Sequence, residues 1–217
     1  MARPNRSEMA KRLLDSYGRT YSGELSIDIA RNTPSPLFRW LVACLLFSAR
    51  IRADAAASAA AALSKQGWRT PARMIDAGWR ARTDVLNRAG YARYDESTSR
   101  MLEDTARLLQ ESYRGDLRRL REAAGRDSAE ERRRLKAFKG IGDVGADLFF
   151  REMQAVWTEL YPFADKRALQ AADKLKLGVD ARALSKLVSK QDFPRLLSAL
   201  VRVDLDKGYD TITAKAA

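Results

Sequence analysis

Residues 37 to 49, "LFRWLVACLLFSA", leave the fold little freedom. Apart from Arg39 and Ser48 the run is apolar on every side of a helix, and a helix of that kind has to sit in the middle of a bundle. Elsewhere, too, apolar residues recur at helical spacing, and no stretch alternates at period two for long enough to suggest a sheet. The chain is therefore expected to be all-α. Its 217 residues, 46% of them apolar, suffice for the core of one large or two small domains.

Met9, Leu13, Leu14 and Tyr17 outline a first helix that ends at Gly18, and the loop with Asn32, Thr33, Pro34 and Pro36 introduces the apolar run. Asp54 is placed to cap an alanine-rich helix that Gly67 ends. Thr70 and Pro71 occupy the N-cap and first helical positions of the next helix, and a short helix after it stops at Gly90. A long helix over 95 to 113 is followed by a basic, polar segment over 114 to 134. Further helices are expected at 168 to 177, 182 to 189 and 193 to 203.

The chain carries 40 Lys and Arg against 28 Asp and Glu, a formal charge of +12. That balance favours nucleic acid or an anionic membrane surface as partner. Histidine is absent and the single cysteine, Cys44, lies inside the apolar run. A Cys/His zinc site, a cysteine-ligated iron-sulfur cluster, a disulfide and a histidine-activated nucleophile are thereby excluded. Acid-base chemistry falls to carboxylates, lysine or tyrosine. The N-terminal stretch lacks a signal-peptide core and no run of 18 apolar residues occurs, so a cytoplasmic location is expected.

"FKGIGDVGAD", residues 138 to 147, sets Gly140, Gly142 and Gly145 where the flanking Leu135, Phe138, Leu148 and Phe149 would otherwise continue a helix. Helix, Gly-x-Gly, helix presents backbone amides to a phosphate with no side chain in the way. An ordinary turn between packed helices is the competing reading. No "GK[ST]" follows and no strand precedes, so neither a Walker loop nor a dinucleotide fingerprint is present. Asp143, just after the hairpin, weakens phosphate binding unless Lys139, Arg132, Arg133, Arg134 and Lys136 offset it.

At these residues the sequence resembles the helix-hairpin-helix DNA glycosylases, the superfamily of endonuclease III and the alkylpurine glycosylases. "FKGIGDVGA" is similar to their hairpin, and Asp165 in "YPFADKR" lies 21 residues after Val144, where they place an aspartate at the mouth of the base pocket. "PLFRWLVACLLFSARIRAD" resembles their buried helix and the turn after it, and "LNRAGYARYDE" their Gly-aromatic segment before a long helix.

The resemblance implies a two-lobed all-α fold with a cleft between the lobes. Residues 34 to 155 would form a central helical domain whose hairpin motif spans about 129 to 157. Residues 1 to 33 together with 156 to 217 would form the second. It implies duplex DNA with a damaged or mispaired base as partner, no membrane, a monomer, and a nucleoid location in a prokaryote. Asp165 would be the catalytic carboxylate, and Lys139, Gly140, Ile141, Gly142, Val144 and Gly145 would meet DNA at the hairpin. Arg50 would fill the gap of a flipped nucleotide or contact the orphan base, Tyr91 would be the neighbouring wedge that holds the opened stack, and Lys166 would touch a phosphate.

Two departures shape the chemistry. Bifunctional members keep a lysine at the position of Val144 as the amine that forms a Schiff base, and valine cannot form an imine. A monofunctional glycosylase is implied, acting by water on a base that leaves readily, such as an alkylated one. A catalytically inactive DNA-binding protein, or a lyase using another lysine, is the alternative. The second departure is the missing four-cysteine loop, so no iron-sulfur cluster is expected. No cofactor is required, although hairpins of this kind can hold sodium or potassium on their carbonyl oxygens.

Overall fold

The computed structural model describes residues 4–214, and no strand occurs among them. In chain order the helices are α1 (Arg6–Tyr17), α2 (Tyr21–Glu24), α3 (Pro34–Phe47), α4 (Ala53–Lys65), α5 (Pro71–Asp76) and α6 (Gly78–Leu86). A π-helical turn, Asn87–Tyr91, leads into α7 (Asp95–Tyr113). Then come α8 (Leu117–Ala123), α9 (Ser128–Leu135), α10 (Asp143–Met153), α11 (Lys166–Lys174), α12 (Ala181–Ser185), α13 (Phe193–Asp206) and α14 (Tyr209–Thr213). The chain divides into two units, a central one of Leu25–Phe149 and a terminal one of Met1–Glu24 with Phe150–Ala217. The division falls inside α10. No helix among the described residues is long and apolar enough to cross a membrane.

In the central unit α3 is the interior helix its composition demands. Leu37, Phe38, Trp40, Leu41, Ala43, Cys44 and Leu46 are all fully buried. Ala56, Ala59, Ala60 and Leu63 form a buried stripe at helical spacing along α4, and such small side chains let it lie close against α3. Thr70 caps α5 by accepting from Arg73 N at 3.4 Å, with Pro71 in the first turn. Asp54 does not cap α4. The N-cap is Arg52, and Asp54 lies in the first turn, 2.6 Å from the Arg52 guanidinium, where the helix dipole favours its charge. Gly90, at φ +86°, breaks the helical path as expected, a left-handed kink in the turn between α6 and α7. The polar segment 114 to 134 folds as α8 and most of α9.

Arg82 ties three helices of this unit together. Fully buried, it donates through Nη1 to Met74 O at 2.6 Å at the end of α5, through Nε to Ser99 Oγ at 3.3 Å on α7, and through Nη2 to Glu103. At the end of α5 the Ala77 amide donates to Arg73 O at 3.2 Å, while Met74 O takes its donor from the Arg82 side chain of α6.

The terminal unit is built on α1, α11 and α13. Met9, Ala10 and Leu13 pack with Ala168, Ala171, Ala172 and with Leu196, Leu197 and Leu200. A capping box fixes the start of α1: Glu8 N donates to Asn5 Oδ1 at 2.9 Å while Asn5 N donates to Glu8 Oε2 at 2.8 Å.

Removing Arg82 leaves the buried Met74 O without its donor and Glu103 with Arg107 alone, so Arg82→Ala is expected to destabilise by about 1–3 kcal/mol. Arg107 pairs with the same Glu103 from an exposed position, and Arg107→Ala is expected to cost about 0–1 kcal/mol. Urea denaturation of the two variants checks the contrast.

Candidate nucleic-acid interface and buried carboxylate

The hairpin between α9 and α10 is pinned from below. Phe138 and Ile141 are 1% and 3% exposed, so only their backbones can reach a ligand. Phe138 N donates to Leu135 O at 3.1 Å and Ile141 N to Phe138 O at 3.0 Å, which closes the turn. Lys139 is exposed, its ammonium 3.1 Å from Asp104.

The three glycines serve different ends. Gly140 has φ +91°, and a Cβ there would lie 3.0 Å from Met101 Sδ and 3.2 Å from Leu45 Cγ. A Cβ on Gly145 would lie 2.7 Å from Ser48 Oγ. Both are therefore glycine for the sake of the fold. At Gly142 φ is not positive and no atom lies within 4 Å of a Cβ. Nothing inside the protein asks for glycine there, and the space beside the first amides of α10, which have no intrahelical acceptor, stays open.

Charge around the hairpin is largely spent internally. Lys136 Nζ lies 2.7 Å and Arg132 Nη1 3.7 Å from Asp143 Oδ1, and Arg132 also pairs with Asp147. Arg133 and Arg134 lie 2.6 Å and 2.7 Å from Glu130 Oε1. The hydrogen bond from Lys136, then its charge, holds the Asp143 carboxyl below the usual range. Glu130 is lowered to about 2, first by the hydrogen bond from Arg133. The basic residues do offset Asp143, and in doing so they are drawn away from any external anion. As for a monovalent cation, the hairpin carbonyls of Phe138, Lys139 and Gly142 already accept from Ile141 N, the Thr105 hydroxyl and Ala146 N.

Three loops of the central unit meet at the C-terminal end of α3. The hairpin reaches it through Gly140 against Leu45 and Gly145 against Ser48. The π turn reaches it through Tyr91, whose hydroxyl donates to Leu46 O at 2.9 Å. The third is the turn after α3 itself, which carries the exposed Arg50. Tyr91 is fully buried, and burial pushes its phenol up to about 12. It is a strut between two loops and cannot be the wedge expected from the sequence, because its ring and hydroxyl are both used inside the fold. Arg93, exposed just after that turn, has its guanidinium carbon 5.4 Å from the Tyr94 ring centroid. A neighbouring aromatic-arginine pair, "ARY", was its signal in the sequence. Val144, at 59% exposure, is an apolar side chain in open solvent at the start of α10.

Asp165 lies in the terminal unit as the N-cap of α11. Its Oδ1 accepts from Arg167 N at 3.1 Å and Ala168 N at 3.2 Å, and its Oδ2 accepts from Arg151 Nε at 2.7 Å. Every partner is a donor, so the carboxyl acts here as an acceptor only. Arg151 is as buried as Asp165, and the adjacent negative charge raises the guanidinium further against the opposing effect of its own burial, the larger single influence. Gln154 clamps the approach to Asp165, with Nε2 donating to Phe163 O at 2.9 Å and Phe163 N donating to Oε1 at 3.0 Å. Glu152 accepts from Tyr21 N at 2.7 Å and Ser22 N at 3.0 Å, and burial pushes its carboxyl up. Lys166 is exposed. None of Arg151, Glu152 and Gln154 was picked out from sequence, though their signal is three polar residues set among Phe149, Phe150, Met153, Val156 and Trp157.

No family model matches the chain, and no curated protein matches it. Among solved structures it is similar to a trapped endonuclease III–DNA covalent intermediate, an estranged-adenine complex. The identity is 15% and the TM-score 0.51, over 92% of this chain and 86% of that one. The chain has the all-α fold of endonuclease III.

The glycines separate by stability. Gly142→Ala is expected to stay within about 0.5 kcal/mol of the parent. Gly140→Ala is expected to lose at least about 1 kcal/mol from its left-handed backbone, and Gly145→Ala about 1–3 kcal/mol from overpacking against Ser48. Thermal or urea unfolding of the three variants measures this.

Proposed function

We propose that the protein is a DNA glycosylase that acts without a lyase step. It would bind duplex DNA through the hairpin of the central unit, extrude a damaged base and hydrolyse its N-glycosidic bond with Asp165. The observation that carries this reading is a buried, acceptor-only carboxylate at the one residue that the family resemblance selects, in a chain with the endonuclease III fold. The bare backbone at Gly142, with Arg50 and Arg93 exposed on the two loops that share its end of α3, supports a phosphate-binding surface.

In such a reaction the bond from the base nitrogen to C1′ breaks and its electron pair leaves with the base. Positive charge grows on the sugar, where a fixed carboxylate stabilises it. A water oxygen then bonds to C1′ and its proton passes to Asp165 or solvent. Val144 stands where the resemblance places the lyase lysine, and it offers no amine to form an imine. The leaving base gets no proton from histidine, which the chain lacks, nor from Asp165, whose neighbours are all donors. A base that is already cationic, such as a ring-alkylated purine, departs neutral without one. That favours alkylated over unmodified mispaired bases. The protein would act as a monomer on DNA in the cytoplasm or nucleoid.

The Arg151 guanidinium on Asp165 favours a second reading, a DNA-binding protein that has kept the fold and lost the reaction, since it offsets the charge that catalysis needs.

Duplexes carrying alkylated, deaminated, oxidised or mispaired bases, incubated with and without borohydride, decide between them. Base release is expected from the alkylated duplex with no trapped adduct, and Asp165→Asn is expected to reduce the rate by about 100-fold or more while leaving duplex binding intact. A trapped adduct would overturn the hydrolytic mechanism, and salt-sensitive binding with no release from any duplex would establish the second reading.

At the hairpin, Gly142→Ala is expected to weaken duplex binding about tenfold by crowding a charge-assisted contact. Asp143→Asn, which removes a negative charge and frees Lys136, is expected to tighten it and to steepen its dependence on salt. Fluorescence anisotropy across a salt series reads both.

A further inference from the structure

Asp165 is held far more firmly than a helix cap requires. Asp127 and Asp180 cap α9 and α12 from exposed positions by accepting from Glu130 N and Ala183 N, both at 2.8 Å. Asp165 takes two amides and a guanidinium, and the side chains of Arg151 and Asp165 are only 5% and 4% exposed. A buried ion pair of this kind gains little stability over apolar residues of the same volume. Stability alone therefore does not account for an arginine at 151.

The geometry accounts for it better. Oδ1 is fixed by α11 and Oδ2 by α10, so the carboxylate cannot rotate about its Cβ–Cγ bond without losing a partner on one helix or the other. Gln154, three residues after Arg151 and just beyond the end of α10, locks the backbone of Phe163 two residues before Asp165. Arg151 Nη1 is buried with no acceptor among the described residues, whereas an arginine placed only to brace the fold would use both edges, as Arg82 does.

We propose that Arg151 is a positioning residue for the reaction. It sets the plane and direction in which Asp165 faces the sugar, and this rests on the glycosylase reading above. Holding a reacting group to within a fraction of an ångström is worth orders of magnitude in rate, while it contributes little to substrate binding. Arg151 should therefore act on the turnover step through Asp165 and on nothing else.

The test uses the full chain and a duplex carrying an alkylated purine, with Arg151→Met, Arg151→Lys, Asp165→Asn and the double variant Arg151→Met with Asp165→Asn. Single-turnover rate, duplex affinity and thermal midpoint are measured for each. Arg151→Met is expected to slow base release about 10- to 100-fold with duplex affinity unchanged. Arg151→Lys, which can still donate to Oδ2, is expected to recover part of the rate. The double variant is expected to be no slower than Asp165→Asn alone, because the two residues act through one contact. Base release by Arg151→Met at the parent rate, additive losses in the double variant, or a rate loss that simply follows a collapse of the thermal midpoint in both Arg151 variants would each overturn the assignment while leaving the glycosylase reading standing. No base release by the parent from any duplex would overturn both.

Discussion

A helix that is apolar on every side runs through the protein interior, and the carbonyls of its last turn, such as that of the fully buried Leu46, need donors from the chain itself. The end of α3 meets that demand locally and at long range. Ser48 donates to Cys44 O through its amide at 3.1 Å and its hydroxyl at 2.6 Å, and Ala49 N donates to Leu46 O at 3.4 Å. The remaining donor comes from Tyr91, 45 positions along the chain. Satisfying one buried helix end thus brings the π turn to it. The glycines of the hairpin then pack against the same end, because Leu45 and Ser48 leave no room for a Cβ.

The same crowding sorts the hairpin into structure and surface. Two glycines answer to the core and one does not, so the motif read as a unit in the sequence is a composite. Its electrostatics are composite as well. The cluster over 130 to 147 is rich in arginine, yet each cation there faces a carboxylate of α9, α10 or α7. A net charge of +12 says little about where an anion would be held. The candidate contacts are instead backbone amides and the exposed Arg50 and Arg93, which phosphate binding at a helix start can use without a concentrated basic patch.

In the terminal unit a single carboxylate combines two tasks. As the cap of α11, Asp165 ends a helix whose first amides would otherwise lack partners; as the partner of Arg151, it is fixed in direction. Both tasks use it as an acceptor. That is why the pair bears on mechanism: the group is suited to stabilising positive charge and unsuited to supplying a proton.

The sequence by itself determined the helical class, the interior position of residues 37 to 49, the hairpin and the aspartate after it. Periodicity, glycine spacing and a cap residue before a helix are local properties, and local properties survive in a string of letters. It also determined what the chemistry cannot use, since an absent histidine and a valine at 144 need no coordinates to interpret. Only the tertiary structure decided which glycine is free, that Tyr91 faces inward, that the basic cluster is paired, and that Arg151 holds Asp165. Each of these depends on which side chain from a distant segment occupies the neighbouring space, and that is set by packing.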